Sequence, residues 1–330
     1  MNHHELSLEE VARVANGLGA ESIRNLSSLL PAVDAKYGER SLGQVEAFLN
    51  MIKPTDLDRL LTGEASIKIE EVIRKFFDKN GRMIPMAGMK SAVCDPNKDF
   101  HLIQPQMVEE VDFANRILRL HGTLGIDTDI SGEQMFYATK TLLDTLRVDP
   151  RTTNLLNAVY LPVIIPKTEI GDIGTLIEQW LVGVDKSHKK TFGERAFNNY
   201  LKGALTKAVS IVSESRHDRL IEQMKQGPII GLYFPNPLQG FSVDADREQM
   251  ATLPEEFILS GLDAIIGMIM YPDVLARDWK TPGIDLAAFF FQSAGGSLCF
   301  RASGGFLDAR VGGNLGDARG RCSGGLFFSR

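Results

Sequence analysis

Residues 286–330 read LAAFFFQSAGGSLCFRASGGFLDARVGGNLGDARGRCSGGLFFSR, and the fold is decided here. Four short segments, Leu286–Gln292, Ser297–Ala302, Phe306–Val311 and Gly325–Ser329, are separated by Gly295-Gly296, Gly304-Gly305, Gly312-Gly313 and Gly324. Segments of this length rich in Phe, Leu and Val suit strands, and glycine supplies the positive φ that tight hairpins demand. The stretch therefore reads as an antiparallel β-meander, with Phe289-Phe290-Phe291 in a buried central strand. A small echo lies inside it, Leu307-Asp308-Ala309-Arg310 against Gly316-Asp317-Ala318-Arg319, but two copies are too few for a solenoid.

Working upstream, Ala158–Ile165 is apolar and β-branched, and Pro162 suits it to an edge or a bulge because proline cannot donate to a ladder. A helix over Ile173–Val182 follows. Phe197, Leu201, Leu205, Val209 and Val212 recur at helical spacing, so Phe192–Ser213 reads as a long or broken helix continuing to Gln226 before Gly227-Pro228. Ile229–Phe234 and Gly240–Val243 read as strands joined by a turn at Pro235-Asn236-Pro237. Thr252 and Ser260 open helices, the second leading into Ala264–Met270.

Residues 1–150 read as helices divided by caps. Ser7-Leu8-Glu9-Glu10 and Ser131-Gly132-Glu133-Gln134 are capping boxes, in which hydroxyl and carboxylate or amide satisfy each other's orphan N–H groups. Glu21–Leu30, Ser41–Met51 and Pro54–Leu61 are short helical segments. Ser66–Lys79 is an apolar core helix ending at Asn80-Gly81, residues 82–105 form a long ordered loop, and helices cover Met107–His121 and Gly132–Arg147. The expected fold is α+β: a mainly helical domain, residues 1–150, and a mixed domain, residues 151–330, ending in the Gly-rich meander.

At 330 residues, 44% hydrophobic and 24% charged, the chain can bury cores without metal or disulfide staples. The net charge of -6 comes wholly from residues 1–150, which disfavours general nucleic-acid binding. Met1-Asn2-His3-His4-Glu5-Leu6 lacks the pattern of a secretory signal, and no apolar run approaches the ~18 residues of a membrane span. Cys94, Cys299 and Cys322 are odd in number and lack C-x-x-C spacing, so reduced thiols in the cytoplasm are expected, with no Cys-based zinc site.

From Tyr160 onward the order of features resembles a bacterial domain family of unknown function found widely in actinobacteria. The shared features are the Pro-containing strand Leu161–Pro166, a helix, a strand leading to an Asp-rich turn, a helix ending Tyr271-Pro272-Asp273-Val274-Leu275, and a closing Gly/Cys-rich cluster through Cys299 and Cys322. The tryptophans of that family's closing segment are absent here. The resemblance covers about half the chain and implies a domain boundary without implying a chemistry.

Asp127-Thr128-Asp129-Ile130-Ser131-Gly132 has the first half of a calcium loop, but Ala138 stands where the bidentate Glu belongs, so an acidic turn and an N-cap account for it. No histidine pair has zinc spacing, and neither a metal nor a cofactor is called for. The run Lys186-Ser187-His188-Lys189-Lys190 is a solvated helix face or a contact for an acidic partner or phosphate. Among anion sites, Arg301, Arg310, Arg319 and Arg321 with Gly312 and Gly313 combine guanidinium forks with backbone N–H nests. Cys322 beside Arg321 is the candidate catalytic thiol, with Cys94 near Asp95, Asp99 and His101 as an alternative. No complete catalytic motif is present. The leading reading is therefore a non-catalytic binding or interaction protein whose partner is an unknown protein or a small anionic ligand. The rivals are an enzyme acting on an anionic substrate held by the C-terminal Arg/Gly segment, and a structural assembly protein.

Overall fold

The computed structural model describes residues 75–292 and 296–330, together with Arg59, Thr62 and Glu64. By its contacts the chain divides into two units, Met1–Val72 and Ile73–Arg330. The helical segments expected before residue 66 lie outside the described residues, apart from Arg59, which is helical. The described end of the expected Ser66–Lys79 helix is not helical: Phe77 bridges Met83 across a turn at Gly81, whose φ is 79°.

Seven helices and nine strands lie among the described residues, and the fold is α+β. Helix α1, Glu110–Leu124, ends on the left-handed Gly125, three residues beyond the expected stop. Helix α2, Gly132–Val148, starts on the expected capping box: Gln134 N–H donates to Ser131 Oγ and Ser131 N–H to Gln134 Oε1. Both helices join the cores built by the elements that follow. Thr152 Oγ1 donates to the Leu146 carbonyl across the boundary expected near Asp149-Pro150, and Phe76 N–H donates to Arg151 O, so the contacts divide after Val72 instead.

Strand β1, Leu161–Ile165, lies at one edge of the sheet, where Pro162 costs nothing. Helix α3, Ile173–Phe192, runs ten residues longer than expected and stops at Gly193, whose φ is 63°. Beyond it the expected helix over Phe192–Ser213 is absent. Short strands β2, Ala196–Asn199, and β3, Val209–Ile211, replace it, with positive φ at Gly203 and Lys207. Leu201, Leu205 and Val209 are buried, so the helical spacing marks points where an irregular chain dips into the core.

Helix α4, His217–Gln226, leads to β4, Ile229–Gln239, a single strand in which Pro235-Asn236-Pro237 makes a bulge instead of the expected turn. Two prolines remove two ladder donors there. Residues 240–243, expected as a second strand, instead lead into α5, Val243–Gln249. Next come β5, Phe257–Leu259, the wholly buried α6, Leu262–Met270, and α7, Pro272–Leu275. The C-terminal strands are β6, Gly283–Phe291, β7, Gly296–Ala302, β8, Phe306–Asn314, and β9, Cys322–Phe328.

The main sheet order is β1-β4-β9-β6-β7-β8-β2, with β3 against the far half of β6 and β5 against the end of β9. β6, β7 and β8 form the expected antiparallel meander, but β9 departs from it: it inserts between β4 and β6, parallel to β6. One sheet face packs with α1, α3 and α6, the other with α2, α5 and the long segment that begins at Phe77.

Candidate functional site

Strand alternation sorts the side chains of β6 to β9 onto two faces. Ile284, Leu286, Leu298, Phe300, Leu307 and Ala309 join the larger core. The opposite face carries Asp285, Cys299, Arg301, Arg310, Gly312, Cys322 and Gly324. The register brings these together: Asp285 lies between Cys299 and Gly324, Cys299 faces Arg310, and Cys322 faces Gly283.

Helix α5 lies over this face. Ser242 caps it by accepting from Ala245 N–H, and Arg247 ties it to β6 by donating from Nε to Ala287 O (3.0 Å) and from Nη2 to Phe289 O (2.9 Å). This places the wholly buried Asp246 on the bare α-carbon of Gly324, where a Cβ would lie 2.6 Å from its Cγ. Neither Asp246 oxygen has a hydrogen-bond partner among the described residues.

Gly312 and Gly313 serve differently from the sequence expectation. They lie in β8 with ordinary strand backbone, so they form neither a hairpin turn nor a nest. Their bareness permits close approach instead. A Cβ on Gly312 would lie 3.6 Å from Cys299 Sγ and 3.8 Å from Asp285 Oδ1, and one on Gly313 would lie 2.5 Å from Arg319 Nη2. The Arg319 guanidinium thus lies on a glycine ledge. Beneath it is a cavity of about 10 Å³ lined by Asp285, Ser297, Gly312, Gly313, Arg319 and Cys322, with Asn314 and Asp317 among the other lining residues. That is room for about one water molecule.

Burial pushes the Asp285 carboxyl up to about 6, and the charges of Arg301 and Arg319 pull against that rise. Burial and the Asp285 charge together push Asp246 well above the usual carboxylate range, while Arg247 opposes them. Two buried carboxyls whose charges repel cannot both ionise freely, so their protons belong to the pair. Burial, reinforced by Asp285, raises the Cys299 thiol to about 12 and also raises that of Cys322. A protonated thiol is a weak nucleophile.

Of the residues singled out from sequence, the cavity gathers Arg319, Gly312, Gly313 and Cys322. Arg301 is half-buried beside them, its charge acting on Asp285, Cys299 and Cys322. Arg310 and Arg321 are exposed. Cys94 lies in the long loop, its carbonyl accepting from Arg82 Nη2 at 2.6 Å. Asp246 and Asp285 escaped the sequence reading. Asp285 had one signal, as the lone carboxylate within Gly283–Phe291; Asp246 had none, because its environment comes from a distant strand.

In the Asp127–Gly132 segment, Asp129 N–H donates to Asp127 Oδ1 and Ser131 caps α2. Among the described residues, no three His, Cys, Asp or Glu are placed to hold a metal, and no helix is long and apolar enough to cross a membrane. Compared with protein-family models, curated proteins and solved structures, the chain has no significant match in any of the three.

Proposed function

We propose that the chain is an enzyme that hydrolyses a small anionic substrate, with Asp285 transferring the proton and Arg319 holding the substrate's negative charge. The observation that carries this reading is a carboxyl poised near 6 on a cavity the size of one water, beneath an arginine with no ion pair among the described residues. A group titrating near neutrality serves as both base and acid. Ionised Asp285 accepts a proton from the water, whose oxygen bonds to the substrate's electrophilic carbon or phosphorus. The bond to the leaving group breaks, and that group takes the proton from Asp285. Burial keeps Asp285 basic enough for the first step, and its charge in turn helps to keep Asp246 protonated. Arg319 offers a fork to the anionic group at the cavity mouth.

A chain without a linear catalytic motif favours a non-catalytic binding protein, but motifs of that kind cannot register two carboxylates from separate elements. The buried pair supports the rival enzyme reading. Three free cysteines, two of them buried, support a reducing setting such as the cytoplasm.

Mass spectrometry of a small-molecule extract incubated with the protein tests the proposal. Wild type is expected to deplete an anionic compound and yield products that together carry one added water. Asp285→Asn should slow this by about 100-fold or more, and Arg319→Gln should raise KM more than it lowers kcat. Identical traces for wild type and Asp285→Asn would overturn the proposal.

A further inference from the structure

A second concave site shares no lining residue with the Asp285 cavity. Asp112, Asn115, Arg116 and Arg119 recur at three- and four-residue spacing on one face of α1, and with Lys190 of α3 and Asp273 of α7 they border a cleft of about 540 Å³. That volume lies within the range of small-molecule sites, roughly 300–1,000 Å³.

Most of its charges are already engaged. Arg116 forks onto Asp273 at 2.5 and 2.8 Å, donates to Met270 O at 2.9 Å and stacks on the Tyr271 ring at 4.4 Å. Asp112 accepts from Val108 and Glu109 N–H, both at 3.0 Å, which holds its carboxyl below the usual range. Arg119 and Lys190 remain, and neither has a carboxylate partner within ion-pair distance among the described residues. Arg119 is half-buried, its side chain has only the Thr191 hydroxyl as a hydrogen-bond partner among the described residues, and burial pulls its pKa down. The Asp273 charge offsets only part of the cost of sheltering this guanidinium, and an arriving anion would remove more of it.

We propose that this cleft binds a small phosphomonoester as its dianion, with the phosphoryl group between Arg119 and Lys190 and the organic part on Met107 and Leu118. Arg116, Arg119 and Lys190 against Asp112 and Asp273 leave the lining one net positive charge, which favours an anion, and the Arg119 fork matches two phosphate oxygens. Leu118, 64% exposed on the same helix, gives an apolar group a surface to cover. The site is independent of the hydrolysis proposed at Asp285.

Isothermal titration of the full chain with phenyl phosphate at low salt tests the site. One phosphate-dependent event is expected, absent with phenol. Arg119→Gln and Lys190→Gln should each weaken it by about 10-fold or more, as befits loss of a charged hydrogen bond, and Arg319→Gln should leave it unchanged. Lys190 is exposed, so its variant carries the test should Arg119→Gln fail to fold. The proposal is overturned by no binding up to about 10 mM, a concentration beyond any useful affinity. It is equally overturned by binding that survives the Lys190 substitution, or by binding that Arg319→Gln removes.

Discussion

Gly324 shows what a single missing side chain does here: it lets a carboxylate lie on the sheet where any Cβ would collide with it. Gly324→Ala should cost about 1–3 kcal/mol by overpacking, measured by urea unfolding, and much less in an Asp246→Ala background, where the collision is gone. Asp285 makes a pH-dependent case. Its folded pKa, about 6, lies above the ordinary aspartate value of 3.8, so the stability it contributes is complete below 3.8 and lost as pH rises through 6. Asp285→Asn should therefore be more stable than wild type by about 3 kcal/mol above pH 7, with the difference vanishing near pH 4. His217 runs the other way. Its Nε2 accepts from Leu262 N–H, its Nδ1 faces the Leu259 carbonyl, and burial lowers its pKa from 6.5 to about 4. The stability it contributes is complete above 6.5 and lost as pH falls through 4. His217→Gln should flatten the acid limb of the stability curve by up to one proton between those values; an unchanged limb would contradict the assignment.

At the scale of elements, α5 is tied to β6 through one side chain, since among the described residues Arg247 supplies both side-chain hydrogen bonds to the β6 backbone, while Glu248 and Gln249 hold the helix to the loop at residues 86–91. In a Cys94→Ser background, Arg247→Met should make Cys322 react with an exposed-thiol reagent at least about 10-fold faster, reporting the helix lifting from the sheet. Elements whose signals are local were legible in the sequence. The Ser131 capping box starts α2 where expected, the apolar Ala264–Met270 is a buried helix, and the strands of the meander fall within a few residues of their places. Phe192–Ser213 is not legible, because a period near four also describes a loop that buries one residue per bend. The glycines were recognised as special for the wrong reason: turns and close approaches look alike in one dimension, and β8 uses Gly312 and Gly313 for approach. The site was half legible. Arg319, the glycine pair and Cys322 do converge, but Asp246 meets Asp285 only because β9 lies beside β6, a pairing no local signal encodes.

For the molecule as a whole, the division after Val72 predicts that residues 73–330 expressed alone will unfold in one cooperative transition and retain the Asp285 cavity. A broad, multiphasic melt would count against this division. The arrangement of β9 also has a cost in time. It follows β4, β6, β7 and β8 in the chain, yet it fills the gap between β4 and β6. A chain leaving the ribosome therefore exposes two long apolar strand edges until residues 322–328 have emerged, and closes them only by threading its last strand into the middle of the sheet. Such late, long-range closure makes folding slow and leaves the nascent chain open to aggregation, so its yield in cells should depend on chaperones more steeply than the stability of the finished sheet would suggest.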